Sequence, residues 1–410
     1  MVTVSSVSVD VVERFRALWR SLEKIGRDEE TGGYRRHGWN GADLECREWF
    51  AEEAADRDLE LRVDGNGNLF AWWGDGDDAV LTGSHLDSVP DGGGYDGPLG
   101  VVSALVAVDL LRERGHTPRR PIVVATFAEE EGSRFGLACL GSRLLTGAVD
   151  TRRALALTDR EGVTLARAIA ATGGDPAEVG PDPDLVARFG CFVELHVEQG
   201  RALVDLDAAV GVASAIWPHG RWRFDFRGEA NHAGTTRMAD RHDPMLTFAF
   251  TVLAANKEAR LSGAHATMGR VHVSPNATNA VPGQVTAWLD ARAAEQSTLD
   301  QLIGSVTAKA TERATRDGTA VAVTAESVTA VVEFDAALRD RLATALGGVP
   351  VLPTGAGHDA GVLSAVMPTA MLFVRNPTGV SHAPGEHATD EDCAAGIEAL
   401  AATLEELACR

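Results

Sequence analysis

The 410-residue sequence has no apolar run of about 18 residues, so nothing in it is long enough to cross a bilayer as a helix. It is short of basic charge: Lys and Arg number 38 against 59 Asp and Glu, a formal net charge of -21. Binding phosphate backbones needs a net basic face, which argues against nucleic acid as a partner; the acidity reads as a solubility feature of the surface. Cysteine is scarce as well. The five that occur (Cys46, Cys139, Cys191, Cys393 and Cys409) are odd in number and form no C-x-x-C pair. A disulfide framework and a thiolate zinc site are thereby disfavoured, and a reducing, cytoplasmic setting is expected. The first residues lack a basic segment followed by an apolar one, so no Sec signal is expected. There are no internal repeats, no low-complexity segments and no G-K-[ST] to mark a P-loop.

What the sequence has is apolar content, 45% of its residues, enough for a large core in two domains or in one domain with a large insertion. Val12, Phe15, Leu18, Trp19, Leu22 and Ile25 follow helical spacing, with Asp10 as a candidate cap. A second helix is expected over 42–57, with strands over 58–63, 69–73 and 79–84 and a helix over 98–114. Strands over 121–127 and 191–195 run directly into the polar stretches EEEGSRF and HVEQG. This alternation predicts a mostly parallel sheet covered on both faces. From about 213 to 328 the order changes to strand, helix, two strands, helix, strand, which is the ferredoxin-like order. Parallel features resume with a helix over 335–347, a strand over 370–374 and a helix over 389–407. The expected architecture is an α/β catalytic domain built from 1–212 and 329–410, interrupted by an inserted α+β domain over 213–328.

The stretch GSHLDSVPDGGGYDGPLGV, Gly83 to Val101, fits G-x-G-x-x-G through Gly92, Gly94 and Gly97. A pyrophosphate site wants backbone amides free of nearby anions, yet Asp91 and Asp96 sit beside and inside the glycine run. Ser84 and His85 are strand neighbours that face opposite ways, which argues against a serine–histidine pair. The loop therefore reads as metal-binding, with His85 and Asp96 as ligands and Asp87 placed to fix the His85 imidazole. Further candidate ligands are Glu129, Glu130 and Glu131, His196 with Glu198, His358 with Asp359, and His382 with Glu386. Most of them fall at expected strand ends, where open α/β sheets place their sites. Mixed histidine and carboxylate ligands suit zinc, with manganese or cobalt as alternatives.

Seven ordered motifs (GSHLDSVPDGGGYDGPLGV, EEEGSRF, ELHVEQG, NHAGTTRM, PNATNAVPG, TGAGHDA and GVSHAPGE) resemble those of the dimetal amidohydrolases that act on ureido amides. These are the N-carbamoyl-L-amino acid hydrolases, β-ureidopropionases and allantoate amidohydrolases, relatives of the dimetal exopeptidases and aminoacylases. The resemblance spans nearly the whole chain. It implies two divalent metal ions per subunit, with Asp96 bridging them, His85 and His196 on one, and Glu131 and His382 on the other. It implies Glu130 as general base, Gln199 as a substrate contact, and His232, Asn279 and Arg292 as contributions from the inserted lid. It also implies a small carboxylate substrate and a homodimer formed through the lid, whose residues reach the neighbouring subunit's site. An exposed sheet edge in a ferredoxin-like insert independently favours pairing between copies.

Two features depart from the family pattern: Arg237 stands where proline is commoner, and Trp217, Pro218 and His219 are bulky at the domain junction. Three functions stay open on the sequence alone. They are a ureido-amide hydrolase, an N-acyl- or N-formyl-amino acid hydrolase or dipeptidase on the same scaffold, and a non-catalytic metal-binding protein.

Overall fold

The computed structural model describes residues 9–410; the reading that no Sec signal is present rests partly on residues 1–8, outside the described residues. In chain order the strands are β1 (Glu60–Val63), β2 (Leu69–Trp73), β3 (Ala79–His85), β4 (Ile122–Phe127), β5 (Phe189–Val197), β6 (Val210–Ile216), β7 (His219–Arg227) and β8 (Asn231–His232). They continue with β9 (His265–Ser274), β10 (Ala280–Val281), β11 (Gln284–Arg292), β12 (Ala320–Thr329), β13 (Val332–Glu333), β14 (Val351–Thr354) and β15 (Thr369–Val374). The chain divides into two compact units, one ending at Ser214 and resuming over Glu333–Arg410, the other Ala215–Val332.

The first unit holds a nine-stranded sheet in the order β1-β2-β4-β3-β5-β15-β6-β13, with β14 also against β6. Its centre is parallel: β3 pairs in parallel with β4 and with β5, and β5 with β15. Those strands are buried almost throughout, as a parallel sheet covered on both faces requires. The helix Pro98–Glu113 is apolar on nearly all sides and fully buried over most of its length, packed with Asp390–Leu404 and the sheet in one core. The first helix runs Val9–Leu22 and buries Val11, Phe15, Leu18 and Leu22. Asp10 therefore lies inside the first turn rather than capping it, where it pairs with Arg14 at 3.0 Å. The next helix, Gly41–Asp56, has its own cap in Asn40, whose side chain accepts from Asp43 N.

The second unit is a four-stranded antiparallel sheet, order β12-β7-β11-β9, with the helices Pro244–Ser262 and Gln296–Asp317 between its strands in sequence. Chain order and sheet order together make it ferredoxin-like. Alternation along β7 and β11 sends Trp222, Phe224, Phe226, Val285, Ala287 and Leu289 into one core with Leu299, Leu302 and Val306. The short β8–β10 ladder sits apart from this sheet.

Candidate functional site

Parallel pairing puts the ends of β3 and β5 side by side, so His85 and His196 emerge together, their rings 5.9 Å apart. The turn after β3 returns Asp96 to the same place, the turn after β4 brings Glu129–Glu131, and the segment after β15 brings His382 in a left-handed backbone conformation (φ 56). Among the described residues three candidate ligand trios occur, His85–Asp96–His196, Asp96–Glu131–His382 and Glu194–His196–His358; the first two trios share Asp96.

The two carboxylate oxygens of Asp96 divide between the trios. Oδ1 lies 3.1 Å from His196 Nε2 and 3.5 Å from His85 Nε2, whereas Oδ2 lies 3.2 Å from His382 Nε2. His382 Nε2 is also 3.5 Å from Glu131 Oε2. His85 Nδ1 meets Asp87 O at 3.1 Å and His196 Nδ1 meets Val197 O at 2.9 Å. A carbonyl only accepts, so Nδ1 carries the proton in both rings and Nε2 presents a lone pair to the cluster. Both Nε2 atoms are buried and lack a hydrogen-bond partner among the described residues. Such atoms are costly to bury unless something completes them, and a cation among carboxylates does.

The charge balance points the same way. Burial disfavours a charged His85, yet Glu130, Asp87 and Asp96 outweigh it and hold its pKa well above the usual range. Burial also disfavours a charged Asp96, but the surrounding imidazoles of His196, His382 and His85 keep its carboxyl well below the carboxylate range. Burial, then the charge of Asp96, pushes Glu131 up to about 7. Glu130 is raised well above its ordinary value by burial, with His85 opposing and Asp359 and Glu131 adding to the rise. A field that draws protons onto histidines draws a divalent cation by the same attraction.

Several carboxylates that the sequence offered as ligands, or as the partner of a ligand, are turned to backbone instead. Asp87 does not hold the His85 ring through its carboxylate, whose nearer oxygen is 3.6 Å from Nδ1; its backbone carbonyl does that. The Asp87 carboxylate accepts from Glu130 N at 3.0 Å and Glu131 N at 3.1 Å, so it organises the loop carrying both glutamates. Glu129 (φ 53) accepts from Gly38 N, Arg134 N and Phe135 N, which fixes the same loop from below. Glu198 caps the turn at Ala202 and Leu203, and Glu386 Oε1 accepts from Tyr95 N and Asp96 N, both at 2.9 Å. Ser84 donates to Glu194 Oε1 at 2.7 Å, and His358 packs against His196 with centroids 4.5 Å apart.

The glycines of the loop serve these close approaches. A Cβ on Gly97, whose φ is 85, would lie 2.5 Å from the His85 ring, and one on Gly93 would lie 2.4 Å from Glu386 Oε1. Glycine here admits a histidine and a carboxylate.

Gln199 Nε2 donates to Asp96 Oδ2 at 2.7 Å and to Ser381 Oγ at 3.2 Å. Ser381, which the sequence reading passed over beside His382 in GVSHAPGE, itself reaches Asp96 Oδ2 at 3.3 Å. Cys139 was also passed over; its thiol donates to Glu130 Oε1 at 3.2 Å, and no motif marks it. Within the second unit, the β8–β10 ladder pairs His232 with Ala280, and Ala233 N donates to Asn279 O at 3.0 Å, so His232 and Asn279 are neighbours. Arg292 ends β11 and is gripped by Asp290 through Nε (2.9 Å) and Nη2 (3.2 Å). Trp217 stacks on His265, His219 Nδ1 donates to Trp217 O, and Arg237 is exposed and paired with Asp240.

Residues 81–406 match the model of the peptidase family M20/M25/M40. The chain belongs to this family. It is 35% identical over 407 residues to the N-carbamoyl-L-amino acid amidohydrolase of Geobacillus stearothermophilus, covering 95% of this chain and 98% of that one. It is 33% identical over 398 residues to the allantoate amidohydrolase of Escherichia coli K12, covering 94% and 96%. Among solved structures it resembles a hydantoinase/carbamoylase family amidase from Burkholderia vietnamiensis, with TM-score 0.89, 29% identity and 99% of both chains covered. As an M20 member beside such amidohydrolases, the chain is a hydrolase acting on carbon–nitrogen bonds other than peptide bonds. The family is metal-dependent, and the clustered histidines and carboxylates fit a metal.

Proposed function

We propose that this M20 enzyme hydrolyses the ureido amide of a small carboxylate, an N-carbamoyl-L-amino acid or allantoate, using two divalent ions per subunit. The observation that carries the reading is the sharing of Asp96: one carboxylate turns one oxygen to His85 and His196 and the other to His382. His85, Asp96 and His196 would hold one ion, and Asp96, Glu131 and His382 the other. When bound, such ions acidify water and polarise a carbonyl, which a poorly electrophilic ureido group needs; zinc suits the donor set, with manganese or cobalt as alternatives.

The remaining roles belong to the chain. Glu130, buried and poised at an elevated pKa, takes the proton of the attacking water and delivers it to the departing nitrogen. Gln199, hydrogen-bonded to Asp96, would supply a substrate contact beside the cluster. His232 and Asn279, adjacent on their ladder, form a donor pair for the developing oxyanion, where losing one donor costs about 100-fold or more in rate. Arg292, its Nε edge oriented by Asp290, pairs with the substrate carboxylate.

The proposal extends to assembly. The edge strands β9 and β12 are exposed along much of their length, and the helix Pro244–Ser262 exposes Leu246, Leu253 and Leu261, at 47%, 71% and 73%. An unprotected edge beside an apolar helical stripe fits a homodimer through the inserted unit. Four of the five free cysteines are buried, in keeping with a reducing, cytoplasmic setting. Among the described residues no helix is long and apolar enough to cross a membrane. The test of function is a metal-loaded substrate panel. N-carbamoyl-L-amino acids, β-ureidopropionate and allantoate should outpace N-formyl- and N-acyl-amino acids and dipeptides. Preference for acyl or peptide substrates would overturn the ureido assignment.

A further inference from the structure

The loop that carries Glu130 is held from one side by the start of the helix Leu140–Thr146. Three successive N–H groups run along it: Cys139 N donates to Glu130 O at 2.6 Å, Leu140 N to Glu129 O at 3.1 Å, and Gly141 N to Ala128 O at 2.9 Å. Cys139 adds a side-chain contact, its thiol donating to Glu130 Oε1 at 3.2 Å. The same residue is buried and left-handed, with φ 55 and ψ 39. Residues other than glycine seldom adopt that conformation, and they hold it only where the surroundings over-determine it. The other oxygen, Oε2, faces the histidines, 3.7 Å from His85 Nε2.

We propose that Cys139 is a positioning residue for Glu130: its N–H and S–H together fix the glutamate so that Oε1 is engaged and Oε2 alone is turned to the reacting water. The proposal rests on Glu130 being the base, as argued above; the hydrogen bond itself does not. A thiol is a weak donor, so it selects a rotamer while leaving the carboxylate's negative charge largely intact for proton transfer. The competing reading is that Cys139 merely fills space as a small buried hydrophobe.

Two measurements on the full-length protein separate these readings. The first is the infrared S–H stretching band of the metal-free protein, assigned by subtracting the spectrum of Cys139→Ala. A thiol bonded to a carboxylate gives a band at lower frequency, which should move up in Glu130→Ala. The second is steady-state kinetics of the metal-loaded enzyme. Cys139→Ala removes the donor without setting a β-branched side chain at φ 55, and should lower kcat about tenfold, as a loosely placed base does, with KM and metal content unchanged. Cys139→Ser should recover most of the loss. A band that does not respond to Glu130→Ala overturns the contact. Wild-type kcat in Cys139→Ala, or equal losses in the alanine and serine variants, overturns the positioning role. If the alanine variant does not fold, Cys139→Gly, which suits the left-handed backbone, takes its place in the same comparison. Full activity in Glu130→Gln would remove the base assignment instead, and the band shift would still report on the contact.

Discussion

Replacing Glu130 and Glu131 separately by glutamine should produce opposite phenotypes, although the two are neighbours in sequence and share one anchor. Both backbone N–H groups are held by the Asp87 carboxylate, and glutamine is nearly isosteric, so neither change should release the loop. Their side chains diverge. Glu131 Oε2 lies 3.5 Å from His382 Nε2 in the second trio, so Glu131→Gln removes a charged ligand and should cost one metal equivalent. Glu130 lies outside both trios; its Oε1 takes the Cys139 thiol, which a glutamine oxygen can also accept. Glu130→Gln should therefore keep full metal content and a wild-type melting temperature, yet lose about 100- to 10,000-fold in kcat, the usual contribution of a general base. Metal analysis of purified variants alongside initial rates on an N-carbamoyl substrate makes the comparison. Loss of an ion from Glu130→Gln with full occupancy in Glu131→Gln would show that the two roles are exchanged.

Other expectations concern the substrate, the loop and the partner subunit. Arg292→Lys should raise KM for carboxylate substrates more than it lowers kcat, because a point charge cannot reproduce a planar fork. An amidated ureido substrate should be poor with wild type and lose little more in that variant; equal losses on both substrates would separate Arg292 from the carboxylate. Gly97→Ala forces a Cβ to within 2.5 Å of the His85 ring at φ 85, and should destabilise by about 2 to 4 kcal/mol and weaken metal binding. An unchanged melting temperature and metal content would refute that reading of the loop. Mixing inactive Glu130→Gln and His232→Ala protomers should restore activity if His232 serves the neighbouring subunit. No recovery, with subunit exchange shown, would place it in its own chain's site.

The elements made of unbroken apolar runs were the most legible. The helix expected over 98–114 is Pro98–Glu113 and the strand expected over 121–127 is Ile122–Phe127, because an unbroken apolar run bounded by glycine or proline leaves few alternatives. The β-α-β-β-α-β order was readable as well, its strands alternating cleanly. Short pieces such as β13 and β14 were not, since two to four residues carry no period and exist only by pairing with β6. At the site, the convergence of His85, Asp96, Glu131, His196 and His382 followed from strand ends and motif order. What the sequence did not disclose is which atom each carboxylate serves. Asp87, Glu129, Glu198 and Glu386 have the residue type of ligands, but folding places backbone N–H groups within their reach. Cys139 was invisible because its contact depends on a left-handed turn nine residues beyond the base.

The measurement that bears most directly on the account is metal stoichiometry against activity for wild type and Asp96→Ala. Among the described residues Asp96 joins the His85–His196 trio to the Glu131–His382 trio, so it should govern both ions. Wild type, stripped by chelator and reloaded with zinc, manganese or cobalt, should bind two equivalents per chain and regain ureido-amide hydrolysis. Asp96→Ala should fold, bind at most weakly at either position, and show no turnover on reloading. Two tightly bound equivalents with wild-type turnover in Asp96→Ala would contradict the shared-carboxylate centre.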